Sequence, residues 1–284
     1  MRQIRYWAAK SELRIPLVWL RHRGLDPKDT FVASYPRSGS TWLRFLLFEI
    51  LTKCEASFDD VNRYIPDVGL HGTAVPLMPN GGRVIKTHEA YRPDYKRALY
   101  IVRDVRDVAL SEYAYQKAQG WISCTFQEFL NAFVRGTVNG YGSWEEHVRG
   151  WLESPLAAGG NLILVRYSDL RRNTKASLSR IIDFLGVDVD KQIVEQAIHH
   201  NSVQNMRKKE DRTPQIGYDP RTKSIDEDKR FVRSGVVGGW RERLTPAQAE
   251  FVLQRAGRML AQLGFEEDGA SGASAVPRAA SGAD

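Results

Sequence analysis

The feature that most constrains this chain is a change of hydrophobic period inside residues 30–51. Thr30 to Tyr35 is a short apolar-rich run, Pro36 to Ser40 is a turn-forming stretch, and Leu43, Leu46, Leu47, Ile50 and Leu51 recur at the i, i+3, i+4, i+7, i+8 spacing of one helix face. A strand that feeds a helix through a loop of small residues is the opening unit of a sheet connected by helices. The alternation continues along the chain. Arg83 to His88 and Ala98 to Val102 read as two buried strands, Val105 to Gln119 as the helix after the second, and Asn161 to Tyr167 as another strand of continuous apolar type. Such strands suit a parallel sheet covered on both faces. The expectation is an α/β fold: a single domain with a central, mainly parallel sheet flanked by helices. Ligands then bind just beyond the C-terminal ends of the strands.

The remaining segments fill in the organisation. Thr125 to Val134 and Ser143 to Leu152 read as helices, the second with Ser143 and Glu146 spaced as a capping box. Further helices are expected over Thr174 to Leu185, closed by Gly186, and over Lys191 to His199. A last helix opens at Thr245 with Pro246 at its first position and stops at Gly264. Residues 54–81 carry Pro66, Pro76 and Pro79 without a sustained period and read as a long irregular connection, and residues 200–240 as a polar, glycine-punctuated one. The divisions expected are a basic N-terminal segment, 1–29, packed on the domain; the domain itself, 30–265; and a Gly, Ala and Ser tail, 266–284, read as disordered. Residues 1–25 mix arginines with Tyr6, Trp7, Leu17 and Trp19, interrupted by Pro16. They are expected to pack as a surface helix, with weak contact to a membrane surface as the sharper alternative.

With 284 residues, 42% hydrophobic and 26% charged, the chain can bury one sizeable core. A formal charge of +7 favours an anionic ligand, a nucleic acid or an acidic membrane surface. No long apolar run or signal-type start is present, so a cytoplasmic location is expected. Cys54 and Cys124 lie far apart with no His or Cys at ligand spacing, which supports neither a disulfide framework nor a zinc site.

The loop Tyr35-Pro36-Arg37-Ser38-Gly39-Ser40-Thr41-Trp42 offers backbone amides around Gly39, three hydroxyls, a fixed cation in Arg37 and the positive end of a helix. Together these make a P-loop-like phosphate cradle. The same residues would also serve in a plain strand-to-helix turn. An NTPase loop reads GxxxxGK[ST], and its Gly-Lys pair is missing here. At the end of the second strand, period-two alternation puts Lys86 and His88 on one face and turns Glu89 to the other. An imidazole titrates near neutrality and can take a proton from an attacking hydroxyl, although a lone His is more often structural. After the third strand come Arg103, Arg106, Asp107 and Ser111, of which Arg106 and Asp107 read as surface charges. Near the C-terminus lies Phe231-Val-Arg233-Ser234-Gly235-Val-Val-Gly238-Gly239-Trp240.

These four segments, in this order, resemble the family of sulfotransferases that use 3′-phosphoadenosine 5′-phosphosulfate (PAPS). Its phosphosulfate loop has the form YPKSGTTW, its catalytic strand ends in KTH, its third strand ends in Arg with a Ser two helical turns later, and its C-terminal loop reads RKGxxGDW. The resemblance spans about residues 30–265. It implies that Arg37, Ser38, Gly39, Ser40, Thr41 and Trp42 hold the 5′-phosphosulfate and adenine, that Arg103, Ser111, Arg233 and Gly235, with Ser234, hold the 3′-phosphate, and that Tyr167 contacts adenine. Asn201 and Ser202 are weaker candidates for that last contact. It also implies His88 as general base, with Lys86 and Arg37 on the sulfuryl and bridging oxygens, and PAP as the desulfonated product; because a sulfonate carries one net charge and no carboxylate cluster stands out in the sequence, no metal is expected. Three departures stand out: Arg37 replaces Lys, Ser234 replaces the second basic residue, and Gly239 replaces Asp. A guanidinium is a planar fork, not a movable ammonium.

The acceptor is not readable from these motifs, and its pocket is expected from residues 54–81, Tyr91 to Tyr95, and some of Tyr113, Tyr115, Trp121, Trp144 and Trp151. On the helix over Ser143 to Leu152, His147 is expected to face solvent. Two other readings remain at this point: an atypical P-loop kinase, and a basic nucleic-acid-binding protein supported only by net charge.

Overall fold

The computed structural model describes residues 14–233 and 235–265; the expectations for residues 1–13, Ser234 and the tail 266–284 lie outside the described residues. Four parallel strands form the sheet in the order β2-β1-β3-β4, with β1 Thr30–Ala33, β2 Val84–Thr87, β3 Ala98–Val102 and β4 Leu162–Arg166. Register is continuous, Val32 opposite Lys86 on one side and Leu99 on the other. The chain leaves β1 toward one edge and returns through β3 toward the other, so the carboxyl ends of β1 and β3 flank the point where strand order reverses. That is where an open parallel sheet leaves a crevice.

Alternation along each strand divides the core into two layers. Phe31, Ala33, Ala98, Tyr100 and Val102 pack with the helices Val105–Ala118 (α4), Phe126–Val134 (α5), Trp144–Leu152 (α6) and Pro246–Gln262 (α12). Val32, Leu99 and Ile101 pack on the other face with Ser40–Thr52 (α2), Thr174–Leu185 (α9) and Lys191–His200 (α10). Every residue of β3 is buried, which is why its sequence is apolar throughout instead of alternating.

The two segments read as irregular are partly helical. Residues 54–81 contain Phe58–Tyr64 (α3), opened by a capping box between Ser57 and Asp60, and a 3₁₀ turn at His71–Thr73. Seven residues are too few to show a helical period in sequence. Residues 200–240 contain Val203–Arg212 (α11) and a short antiparallel pair, Tyr218–Asp219 (β5) with Ser224–Ile225 (β6). The inward face of α11 carries Lys209 and Glu210 beside Met206, so burial there does not follow hydrophobicity. Pro16 lies in the first turn of the helix Arg14–Arg21 (α1), where its missing N–H leaves no bond unmade. The other short helices are Pro155–Ala158 (α7) and Tyr167–Arg172 (α8).

Candidate active site

The loop after β1 is shaped by two left-handed residues. Gly39, at φ 104°, caps the N-terminus of α2, and a Cβ there would stand 2.5 Å from the Tyr167 ring. Arg37 adopts φ 65° without being glycine, a costly conformation that persists because its side chain is held on three sides. Its guanidinium carbon lies 4.6 Å from the ring centres of both Tyr115 and Phe231, and its Nε donates to Ser111 Oγ at 3.3 Å. Burial lowers the pKa of Arg37 below the ordinary arginine value, with Glu112 opposing. Ser38 Oγ is buried and has no hydrogen-bond partner among the described residues, and the same is true of Arg103 Nε. An orphaned hydroxyl and guanidinium N–H, beside the positive end of a helix, form a donor set suited to an anion.

Arg103, at the end of β3, has its guanidinium carbon 4.8 Å from the centre of the Tyr167 ring and donates to Val236 O at 3.0 Å. Asp107 pairs with Arg103 at 3.6 Å and accepts from the backbone of Gly238 and Trp240 at 2.9 and 3.0 Å. Arg106 bonds back to Asp104, the cap of α4, and its guanidinium carbon sits 3.6 Å over the Trp240 ring. Both Arg106 and Asp107 are therefore buried, which corrects the surface placement expected from sequence. Each has an ion-pair partner close by in sequence, Asp104 for Arg106 and Arg103 for Asp107, but the groups that cover them, the Trp240 ring and the Gly238 and Trp240 amides, lie more than a hundred residues away. At the other end of the same C-terminal loop, Glu210 accepts from Phe231 N and Val232 N at 2.8 and 3.0 Å. Two buried carboxylates thus bracket the segment that carries Arg233 and Gly235.

Trp42 meets Tyr167 edge to face at 6.2 Å between ring centres, lies 5.1 Å from the Arg171 guanidinium carbon, and donates Nε1 to Asn201 O at 2.8 Å. The Asn201 side chain belongs to a buried network with Glu49 and Lys209, so its part is to fix this wall. Ser202 caps α11, accepting from Asn205 N. Tyr167 OH donates to Gly235 O at 3.3 Å.

At the end of β2, His88 Nδ1 lies 2.8 Å from Ser34 O, a carbonyl that only accepts. Nδ1 therefore carries the proton and Nε2 the lone pair. Burial, and then the Lys86 charge, hold His88 well below the ordinary histidine pKa, so the ring is neutral at neutral pH. Burial also lowers the pKa of Lys86, and Asp67, 2.8 Å away, opposes that shift. Glu89 turns the other way and pairs with Arg21 at 3.3 Å, as alternation requires. His147 is buried instead of exposed: Nδ1 lies 2.8 Å from Tyr100 OH and Nε2 3.0 Å from His88 O, so it buttresses the strand end. The face of α6 that carries it turns inward with Trp144 and Trp151.

One cavity of about 760 Å³ joins these parts. Arg37, Gly39, Ser40, Thr41, Trp42, Lys86, His88, Arg103, Ser111, Tyr167, Arg233 and Gly235 all line it. Ser38, within the same loop, is buried and does not line the cavity, and Ser234 falls outside the described residues. Of the aromatics expected around an acceptor, Tyr115 and Trp121 reach the cavity, while Tyr95, Trp144 and Trp151 belong to the core. From the connection 54–81 expected to supply the pocket, Asp67 lines the cavity; sequence reasoning missed Asn139 and Tyr141, which also line it, the Tyr141 ring centre 5.8 Å from that of His88. Asp67 sits in the proline-rich connection, and no motif marks it. Among the described residues no group of three or more His, Cys, Asp and Glu is arranged to hold a metal ion, and no helix is long and apolar enough to cross a membrane.

Comparison with known proteins places these features in context. A family model described as "Sulfotransferase domain" matches residues 27–264. Mouse sulfotransferase 1B1 is 27% identical over 245 residues, covering 79% of this chain and 80% of that protein. Human sulfotransferase 1E1 is 28% identical over 247 residues, covering 79% and 81%. Among solved structures, mouse sulfotransferase SULT7A1 complexed with PAP superposes with a TM-score of 0.62 at 25% identity, covering 86% of this chain and 91% of that one. Retinol dehydratase in complex with retinol and PAP shares the fold, with a TM-score of 0.68 at 20% identity over 88% and 86% of the two chains.

Proposed function

This chain belongs to the sulfotransferase family, and from that premise we propose that its cavity transfers a sulfuryl group from PAPS to a hydroxyl or similar nucleophile of an acceptor. The observation that carries the reading is the single cavity in which Arg37, Arg103 and Arg233 meet Lys86 and a neutral His88. Arg103, Ser111, Arg233 and Gly235 take the 3′-phosphate, and the family resemblance assigns Ser234 to the same phosphate. The loop amides, Ser38, Ser40 and Thr41 take the 5′-phosphosulfate, and Trp42 with Tyr167 takes the adenine. PAP-bound relatives support this assignment of the co-substrate. The orphaned Ser38 Oγ and Arg103 Nε, and the glycine that lets Tyr167 approach the loop, suit it.

In the transfer, the acceptor oxygen forms a bond to sulfur as the bond from sulfur to the bridging phosphate oxygen breaks. The acceptor proton passes to His88 Nε2, and PAP leaves with the bridging electron pair. His88 is suited to the proton because its Nδ1–H is fixed on Ser34 O. Lys86 and Arg37 stabilise the charge on the sulfuryl and bridging oxygens. A sulfonate carries less charge than a phosphoryl group, so side chains supply this stabilisation and turnover persists in chelator. We place the enzyme in the cytoplasm, consistent with two free cysteines. A weak membrane-surface contact falls to Leu17, Trp19 and Leu20, which are exposed on α1. Nucleic acid is not among the proposed partners. The direct test incubates the protein with radiolabelled PAPS and a panel of phenols, sterols, glycans, lipids and peptides. Labelled product with release of PAP supports the reading. Product formed only from ATP with Mg²⁺ would establish a kinase instead.

A further inference from the structure

Asp67 is a cleft carboxylate with no part in the scheme above. The segment around it is fixed as a one-residue strand on the outer edge of β2: Lys86 N donates to Pro66 O at 2.8 Å and Val68 N to Lys86 O at 2.8 Å, which sets Asp67 beside Lys86 in parallel register. Its anchor is Arg44, a buried arginine of α2 whose guanidinium donates to Val61 O, Asn62 Oδ1 and Ile65 O. Backbone pairing and anchor leave little freedom in where the carboxylate stands. Asp67 Oδ1 meets Lys86 Nζ at 2.8 Å, with the lysine side chain 12% exposed and the aspartate 44% exposed toward the cleft. A structural ion pair would be expected to bury both partners or to lie on the outer surface. This one lies in the wall of the cavity, one residue before the strand end that carries His88.

We propose that Asp67 is a positioning residue for sulfuryl transfer: its carboxylate holds the Lys86 ammonium in place along the cleft wall beside His88. The inference rests on the proposed function, since it assigns Lys86 to the sulfuryl oxygens. A lysine on a four-carbon stem is the least constrained cation of the site, and a partner that fixes it removes the entropy of aiming it. The charged groups that act on Lys86 are Asp67 from the added edge, Arg44 from α2 and Arg21 from α1, and His88 feels both Lys86 and Asp67. Two of those around Lys86 are cations that, with burial, lower its pKa, and Asp67 opposes them.

The test compares wild type with Asp67→Asn and Asp67→Glu by PAP titration calorimetry and by turnover against pH. Asp67→Asn is expected to bind PAP within about twofold of wild type, because PAP lacks the sulfuryl group, while kcat falls roughly ten- to hundredfold. The alkaline limb of its kcat profile should move to lower pH, since Lys86 loses its proton more easily without the carboxylate. Asp67→Glu should restore part of kcat and move the limb back. Unchanged kcat and an unmoved limb in Asp67→Asn would overturn the proposal. So would an Asp67→Glu that folds yet leaves the limb where Asp67→Asn puts it. If Asp67→Asn fails to fold, Asp67→Ser takes its place as the variant without a carboxylate: unchanged kcat per folded protein and an unmoved limb overturn the proposal. Absence of PAP binding or transfer in wild type is a separate outcome, which fails the sulfotransferase reading itself.

Discussion

The loop after β1 and the strand end after β2 lie in one cavity but are built on opposite principles. The loop recognises charge with groups that stay protonated at any working pH: backbone amides, hydroxyls, and Arg37 fixed between two rings. The strand end holds groups whose ionisation the fold has moved, a His88 kept neutral and a Lys86 whose pKa burial lowers and Asp67 opposes. Binding should therefore be insensitive to pH where chemistry is sensitive, and substitutions in the two regions should separate affinity from turnover.

Four substitutions or conditions break or sharpen that contrast. His88→Ala removes the base, and kcat is expected to fall by about two to four orders of magnitude, while PAP affinity by calorimetry stays near wild type; parallel loss of both would erase the distinction between the regions. Arg103→Ala acts on the other side. Loss of a charge-assisted bond worth about 1.5–3 kcal/mol should weaken PAP tenfold or more, and residual turnover at saturating PAPS should persist. Arg37→Lys keeps charge but loses the fit between Tyr115 and Phe231, which predicts a fall in PAP affinity of roughly threefold to thirtyfold; an equal or tighter Kd would show that the rings do not matter. The smallest effect is that of pH. Because burial and Lys86 lower the His88 pKa, the ring remains an unprotonated base as pH falls through 6.5. Activity should be lost only well below that point, and PAP affinity should not follow it.

The contrast also explains how much was legible in sequence. Strands and long helices were, because burial of apolar side chains leaves a mark in sequence: an unbroken apolar run in β3 and a helical period through Leu43, Leu46, Leu47 and Ile50 in α2. The cradle was legible because its requirement is local: a left-handed glycine, hydroxyls and a helix start must be consecutive. Lys86 and His88 were placed by alternation alone, and Glu89 was correctly turned away. What stayed hidden depends on distant partners. Arg106 and Asp107 look like surface charges until Trp240 and the backbone of Gly238 are folded over them. His147 looks solvent-facing until Tyr100 OH and the His88 carbonyl meet its two nitrogens. The helix Val203–Arg212 is hidden because its buried side chains include Lys209 and Glu210, which serve Glu49 and the C-terminal loop. Asp67 has no motif, because its significance comes from register with a strand nearly twenty residues later.

The claim on which the rest depends is that cations from the ends of β1 and β3 and from the C-terminal loop converge on one nucleotide with phosphates at both ribose positions. Titration calorimetry of the wild-type protein with PAP and with 5′-AMP, which lacks the 3′-phosphate, tests it most directly. The account predicts one site per chain, with PAP bound at least about tenfold more tightly. Equal affinities for the two nucleotides, or no heat from PAP at all, would contradict it.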